Sequence, residues 1–136
     1  MRVVIDTNVI VSGLLSPYAA PSEVLRMVIA NRVEPCVDAR ILAEYTEVLG
    51  RKRFGFDRAQ TSLLVDLIAR TGLMITATPL RRPLPDSDDE PFTEVAVTAH
   101  AACLITGNIK HYPPGLLKPV KVLAPEQFLR LYRMKL

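Results

Sequence analysis

At 136 residues with 49% apolar side chains and a net charge of +3, the chain has the size for one buried core, so a single domain over 1–136 is expected. No apolar stretch reaches membrane-spanning length and no charged segment leads into one, so no membrane partner is expected and the cytoplasm is the default location. The two cysteines, Cys36 and Cys103, sit inside apolar runs without metal-ligand spacing, which argues against a disulfide framework and predicts buried thiols in a reducing compartment. The mild positive charge favours a nucleic-acid partner only modestly over ordinary solubility.

The first strand is predicted at Arg2 to Ile5, because Val3, Val4 and Ile5 do not alternate with polar residues, as in a parallel strand covered on both faces. A helix follows from Thr7 to Leu15, broken by Ser16-Pro17, and another from Ser22 to Asn31 with Ser22 as its cap. Glu34 to Val37 reads as the second strand. Asp38 should cap a helix over Ala39 to Leu49, and Asp57 one over Arg58 to Ala69. Leu73 to Ala77 reads as a third strand, followed by a polar, proline-rich connection, Thr78 to Pro91. A helix over Phe92 to Ala102, strands at Cys103 to Thr106 and Val120 to Leu123, and a helix over Pro125 to Tyr132 complete the chain. This alternation of strands and helices predicts an α/β fold of three layers, α/β/α, around a central, mostly parallel sheet.

Four places on this scaffold carry polar groups that a fold alone does not require. Asp6 ends the first strand, where open α/β sheets bind ligands, although it could instead cap the helix that starts at Thr7. On a helical wheel, Ile41, Leu42, Tyr45, Val48 and Leu49 share an arc, with Glu44 at its margin and Glu47 nearly opposite. Glu47 is therefore the solvated acid; Glu44 either turns along the core edge into a cleft or reaches out to water. Asp86, Asp88, Asp89 and Glu90 stand within five residues of each other, an arrangement favoured at a helix start and relieved by a cation. Thr106-Gly107-Asn108 repeats the pattern of the first strand's end, so Asp6 and Asn108 face one crevice if those strands are neighbours.

Acids gathered without thiolates or histidines suit a hard cation held by oxygen, Mg2+ or Mn2+ before Zn2+; His100 and His111 stand apart in the sequence. Such ions activate water and stabilise the leaving oxygen in phosphodiester cleavage. Arg51-Lys52-Arg53, Arg81-Arg82 and Lys110 are candidate phosphate contacts, each of which could equally be a solvated surface group. No glycine-rich phosphate cradle is present in the sequence.

Taken together, these segments resemble the PIN-domain ribonuclease family, in particular the VapC-like toxin components of toxin-antitoxin pairs. The resemblance runs from Val4-Ile-Asp6-Thr7-Asn8-Val-Ile-Val-Ser12 through Ile41-Leu-Ala-Glu44-Tyr45 and Asp86-Ser-Asp88-Asp89-Glu90-Pro91-Phe92 with Glu94-Val95-Ala96, to Ala102-Cys-Leu-Ile-Thr106-Gly107-Asn108. It implies a PIN-like fold and a metal-dependent endoribonuclease cleaving single-stranded RNA. On this basis Asp6, Glu44 and Asp89 are the catalytic acids, and they hold Mg2+ or Mn2+ with Asp88 and Asn108. Thr7, Asn8, Ser12, Glu94 and Thr106 are expected to support these ligands, and Arg51, Lys52, Arg53 and Lys110 to bind RNA. A cognate antitoxin and further copies of the chain are the implied protein partners. Many relatives carry Asp where Asn108 stands; Asn retains an oxygen ligand but loses a charge, so metal affinity should fall unless Asp86 or Glu94 replaces it. Two other functions compete: a PIN-like module that binds RNA or protein without cutting, and an aspartyl-phosphate domain using Asp6. The second would normally want another acid two residues on, where this chain has Asn8.

Overall fold

The computed structural model describes residues 1–80, 82–113 and 115–134. Its elements in chain order are β1 (Arg2–Ile5), α1 (Thr7–Leu15), α2 (Ala20–Ile29), β2 (Glu34–Val37), α3 (Ala39–Leu49), α4 (Arg58–Thr71), β3 (Leu73–Met74), α5 (Glu90–Thr98), β4 (Cys103–Ile105), β5 (Lys121–Leu123) and α6 (Pro125–Met134). Short 3-10 turns occupy Lys52–Phe54, Ser87–Asp89 and Ile109–His111. The strands form one sheet in the order β3-β2-β1-β4-β5, and the pairings are parallel.

Why the sheet is sandwiched follows from its two central strands. Val3, Val4 and Ile5 of β1 and Cys103, Leu104 and Ile105 of β4 are all 1% exposed or less. Because successive strand side chains point to opposite faces, such uninterrupted burial requires cover on both sides. Among the contacts that provide it, α5 lies against β1, β2 and β4, α4 against β2, and α6 against β4 and β5. The result is the three-layer α/β/α arrangement expected from the sequence. Cys36 on β2 and Cys103 on β4 are both buried in the central sheet.

Several boundaries differ from expectation. Helix α2 starts two residues early, at Ala20, with Pro21 in its first turn, where a missing N–H costs nothing. Ser22 is therefore inside the helix and caps nothing; its hydroxyl accepts from Arg26 Nη1 at 2.8 Å. Pro91 likewise lies in the first turn of α5, which begins at Glu90 and ends at Thr98, ahead of the expected Ala102. Strand β3 has two residues where five were expected, as the chain leaves the sheet edge after Ile75 N–H bonds Val37 O. The caps at Asp38 and Asp57 form as read: Asp38 accepts from Ile41 N–H and Asp57 from Ala59 and Gln60 N–H.

The strand order places the functional edge. From β1 the chain builds outward to β2 and β3, then crosses back to β4 on the other side of β1. The crevice at the carboxyl ends of β1 and β4 is thus the topological switch point. Val3, Val4 and Ile5 pair with Cys103, Leu104 and Ile105, so Asp6 and Thr106 are the next residues out on adjacent strands.

Candidate functional site

Asp6 is 6% exposed at the head of this crevice. It stands at the N-cap position of α1, yet its carboxylate makes no capping bond. Three donors converge instead on Oδ2: Thr106 Oγ1 at 2.8 Å, Tyr112 OH at 3.0 Å and Asn8 Nδ2 at 3.3 Å. Burial pushes the Asp6 carboxyl up, while the Thr106 and Tyr112 hydroxyls and then the amide dipoles of Thr7 and Asn8 pull against that rise. Asn8 also accepts from Gly107 N–H at 3.0 Å, and Thr106 Oγ1 from Asn108 N–H at 3.0 Å, so the loops after β1 and β4 are stitched together around Asp6.

Glu44 arrives from α3, and Tyr45 explains how. The Tyr45 ring is 1% exposed, its hydroxyl donates to Ile5 O at the end of β1, and its face meets Phe92 of α5 at 6.3 Å. This anchor ties α3 to the strand end beside Asp6, and the neighbouring Glu44 turns into the crevice, where Thr7 Oγ1 donates to its Oε2. The cleft alternative for Glu44 is therefore the one the structure adopts. Its carboxyl is raised by burial, lowered by the Thr7 bond, and raised again by the charges of Asp6, Asp88 and Asp89. Glu47 is exposed and pairs with Arg51 at 2.9 Å.

Asp89 closes the set from the 3-10 turn before α5. It is 8% exposed, and its Oδ2 is buried without a hydrogen-bond donor. Burial, then Asp6 and Asp86, push its carboxyl up to about 6, against the pull of the His111 imidazole, whose Nδ1 lies 3.3 Å from Oδ2. Asp86, Asp89 and His111 each offer a ligand atom within 4.8 Å of the others. Mutually repelling carboxyls that include a buried oxygen without a donor are a donor set that fits a divalent cation.

Other expected site residues fall into different surroundings. Asp88 is exposed, with its N–H bonded to Asp86 Oδ1 at 3.0 Å. Asn108 is exposed and its side chain makes no hydrogen bond to an acid among the described residues; with Ser12 and Asn8 it lines an adjoining cleft of about 340 Å³. Glu94, expected to support the metal ligands, is engaged with other groups. It is 8% exposed, held by Arg40 Nη1 at 2.7 Å and by Leu80 N–H at 2.9 Å, while Arg40 also grips Asp38 at 2.8 Å. These bonds pin the long 78–91 connection to α3 and α5. Arg51 spends its guanidinium on Glu47, Arg53 lies 4.8 Å from the Phe54 ring centre, and Phe54 stacks on Phe56. Lys110 is exposed beside His111, and Arg81 lies outside the described residues.

Tyr112 and His111 escaped the sequence reading, and His111 is not isolated as expected. The signal available was their place in the chain, three and four residues after Asn108 on the loop that leaves β4 at the crevice. No acid spacing points to them, because the turn at Ile109–His111 brings them back to Asp6 and Asp89 only in three dimensions.

A family model described as PIN domain matches residues 2–110. The chain is similar to the structure titled "Crystal structure of VapBC2 from Rickettsia felis bound to a DNA fragment from their promoter", with a TM-score of 0.57 and 15% sequence identity, covering 90% of this chain and 97% of that one. At that identity the likeness is one of fold. No curated protein matches the chain in sequence.

Proposed function

Since the chain belongs to the PIN domain family, we propose that it is a metal-dependent endoribonuclease cleaving single-stranded RNA, and the toxin of a toxin-antitoxin pair. The observation that carries this reading is the treatment of two carboxylates at the switch point. Asp6 Oδ2 is fixed by three donors, whereas buried Asp89 Oδ2 has only the His111 imidazole near it, at 3.3 Å, among the described residues. Hydroxyls and an amide thus set the direction of one acid, while the other is crowded by acids and has only that half-exposed imidazole beside it.

In this reading Asp6, Glu44 and Asp89 hold Mg2+ or Mn2+, with Asp88 and Asn108 at the margin of the site. Such a cation supplies charge that acidifies water and neutralises the leaving oxygen. The protein's own groups position it. Thr106, Tyr112 and Asn8 fix Asp6, and Thr7 fixes Glu44. Hydrolysis forms a new phosphorus–oxygen bond from water and breaks the one to a ribose oxygen; water loses a proton and the leaving oxygen gains one. Lys52, Arg53 and Lys110 are offered to the RNA phosphates, and the Phe54–Phe56 stack adds an aromatic face of the kind on which unpaired bases rest.

A protein partner is part of the same proposal. Leu14, Ile29 and Leu63 are 37%, 58% and 66% exposed around an apolar groove between α1, α2 and α4, more than a solitary surface would favour. An antitoxin and further copies of the chain are the partners we assign. No helix among the described residues is long and apolar enough to cross a membrane.

The test is cleavage of single-stranded RNA by the purified protein and by Asp6→Asn, in EDTA, Mg2+ and Mn2+. Cleavage by wild type that needs either ion and is lost in Asp6→Asn is the expected result. Equal cleavage by both proteins, or none by wild type with either ion, would replace this reading with a non-cutting binding module.

A further inference from the structure

We propose that Asp86, Asp89 and His111 form a mixed nitrogen-and-oxygen cation site that takes a later transition-metal dication such as Co2+ or Ni2+ in preference to Mg2+. This deepens the nuclease reading and rests on it only in placing a cation at this edge of the sheet.

Three observations converge. One ligand atom from each residue lies within 4.8 Å of the other two, close enough for one ion to touch all three. Asp89 is buried, and its Oδ2 lies 3.3 Å from His111 Nδ1 with no other polar partner among the described residues. Finally, the turn that carries His111 is held at both ends: Asn108 N–H bonds Thr106 Oγ1 on one side, and Tyr112 OH bonds Asp6 on the other. His111 N–H itself bonds Asn108 O at 3.0 Å. The imidazole is therefore presented by a braced backbone, although its side chain is half exposed.

A plain ion pair between His111 and Asp89 accounts for less. It engages Oδ2 at 3.3 Å but gives no reason for Asp86 to stand in the same small volume. Asp86 uses Oδ1 to accept the Asp88 N–H at 3.0 Å, which orients its carboxylate beside Asp89 and His111. An ion there would meet two carboxylate oxygens and one nitrogen, with water or substrate phosphate completing its shell. Imidazole suits Fe2+, Ni2+ and Zn2+, and affinity for a mixed nitrogen-and-oxygen site rises from Mn2+ through Co2+ to Ni2+, whereas Mg2+ prefers oxygen throughout and keeps its waters. Asn108 lacks the charge of an acid; His111 and Asp86 give this chain a different way to hold its ion.

The experiment is calorimetric titration of wild type, His111→Gln and Asp86→Asn with Co2+ and with Mg2+, joined to the visible absorption of the Co2+ complexes. Loss of the imidazole should weaken Co2+ binding by about tenfold or more, alter the Co2+ bands, and leave Mg2+ affinity within about twofold. Asp86→Asn should weaken Co2+ binding and keep the nitrogen signature in the spectrum. Equal Co2+ affinity and superimposable spectra for wild type and His111→Gln would overturn the proposal. RNA cleavage by wild type in Mg2+ reads the nuclease proposal separately, so either can fail alone. His111 is exposed, and circular dichroism checks that its variant is folded.

Discussion

Thr106 Oγ1 donates to Asp6 Oδ2 at 2.8 Å, joining residues 100 positions apart across the switch point of the sheet. The bond exists because β1 and β4 pair in register, so the residue after each strand meets its counterpart. The same hydroxyl accepts from Asn108 N–H at 3.0 Å, which sets the lone pair and proton directions and fixes the donor toward Asp6.

Thr106→Val keeps the shape of the side chain and removes this donor. A hydrogen bond to a charged group contributes about 1.5–3 kcal/mol, so Mn2+ affinity and cleavage rate should each fall by about tenfold or more, while Thr106→Ser retains most of both. Calorimetry and single-turnover cleavage check this; unchanged values in Thr106→Val would remove Thr106 from the site.

Glu94 is expected to behave as a structural residue. Glu94→Gln weakens its bond to Arg40 and should lower stability by about 1–3 kcal/mol, read as a fall in denaturation midpoint, with Mn2+ affinity unchanged. A variant that is stable but no longer binds the ion would place Glu94 among the ligands instead.

Burial raises Asp6, Glu44 and Asp89 above the ordinary carboxylate range, Asp89 to about 6. Between about pH 4, where such acids titrate in an unfolded chain, and that value, the folded protein binds the more protons. Stability from these groups is therefore present at low pH and lost as pH rises. In EDTA, the melting temperature of wild type should fall relative to Asp89→Asn between those limits and then run parallel to it. A difference that stays flat across the range would mean Asp89 is not crowded.

Arg53 tests the route proposed for RNA. Arg53→Ala should weaken binding of single-stranded RNA about uniformly across sequences and reduce the salt slope by about 0.7 for the lost phosphate contact. Arg51→Ala should do less, since Arg51 is already engaged with Glu47. Binding measured by anisotropy at several salt concentrations separates the two.

Much of the scaffold could be read from the sequence because its signals are local. The runs Val3-Val4-Ile5 and Cys103-Leu104-Ile105 are uninterrupted, and Asp38 and Asp57 sit where caps belong. Ser22 misled because Pro21 tolerates the first turn and lets the helix start earlier. The partner of Glu94, Arg40, approaches from α3, and no spacing along α5 reports it. Glu44 was legible only to the margin of its helix; Tyr45 reaching Ile5 O decides where it points. Tyr112 and His111 depend wholly on how one turn folds back over β1, a tertiary fact without a sequence period.

Asp6, Glu44 and Asp89 are proposed to share one cation, and thermal melts of wild type, Asp89→Asn and Glu47→Gln in EDTA and in Mn2+ decide whether they do. An ion that binds only the folded arrangement stabilises by about 2.7 kcal/mol at a hundredfold excess over its Kd. Wild type and Glu47→Gln, the latter altered at an exposed acid of the same helix as Glu44, should show equal Mn2+-dependent rises in melting temperature. Asp89→Asn should be as stable as wild type or more so in EDTA, and should lose most of the rise. An identical response in all three proteins would contradict the account, because the acids would then not share an ion.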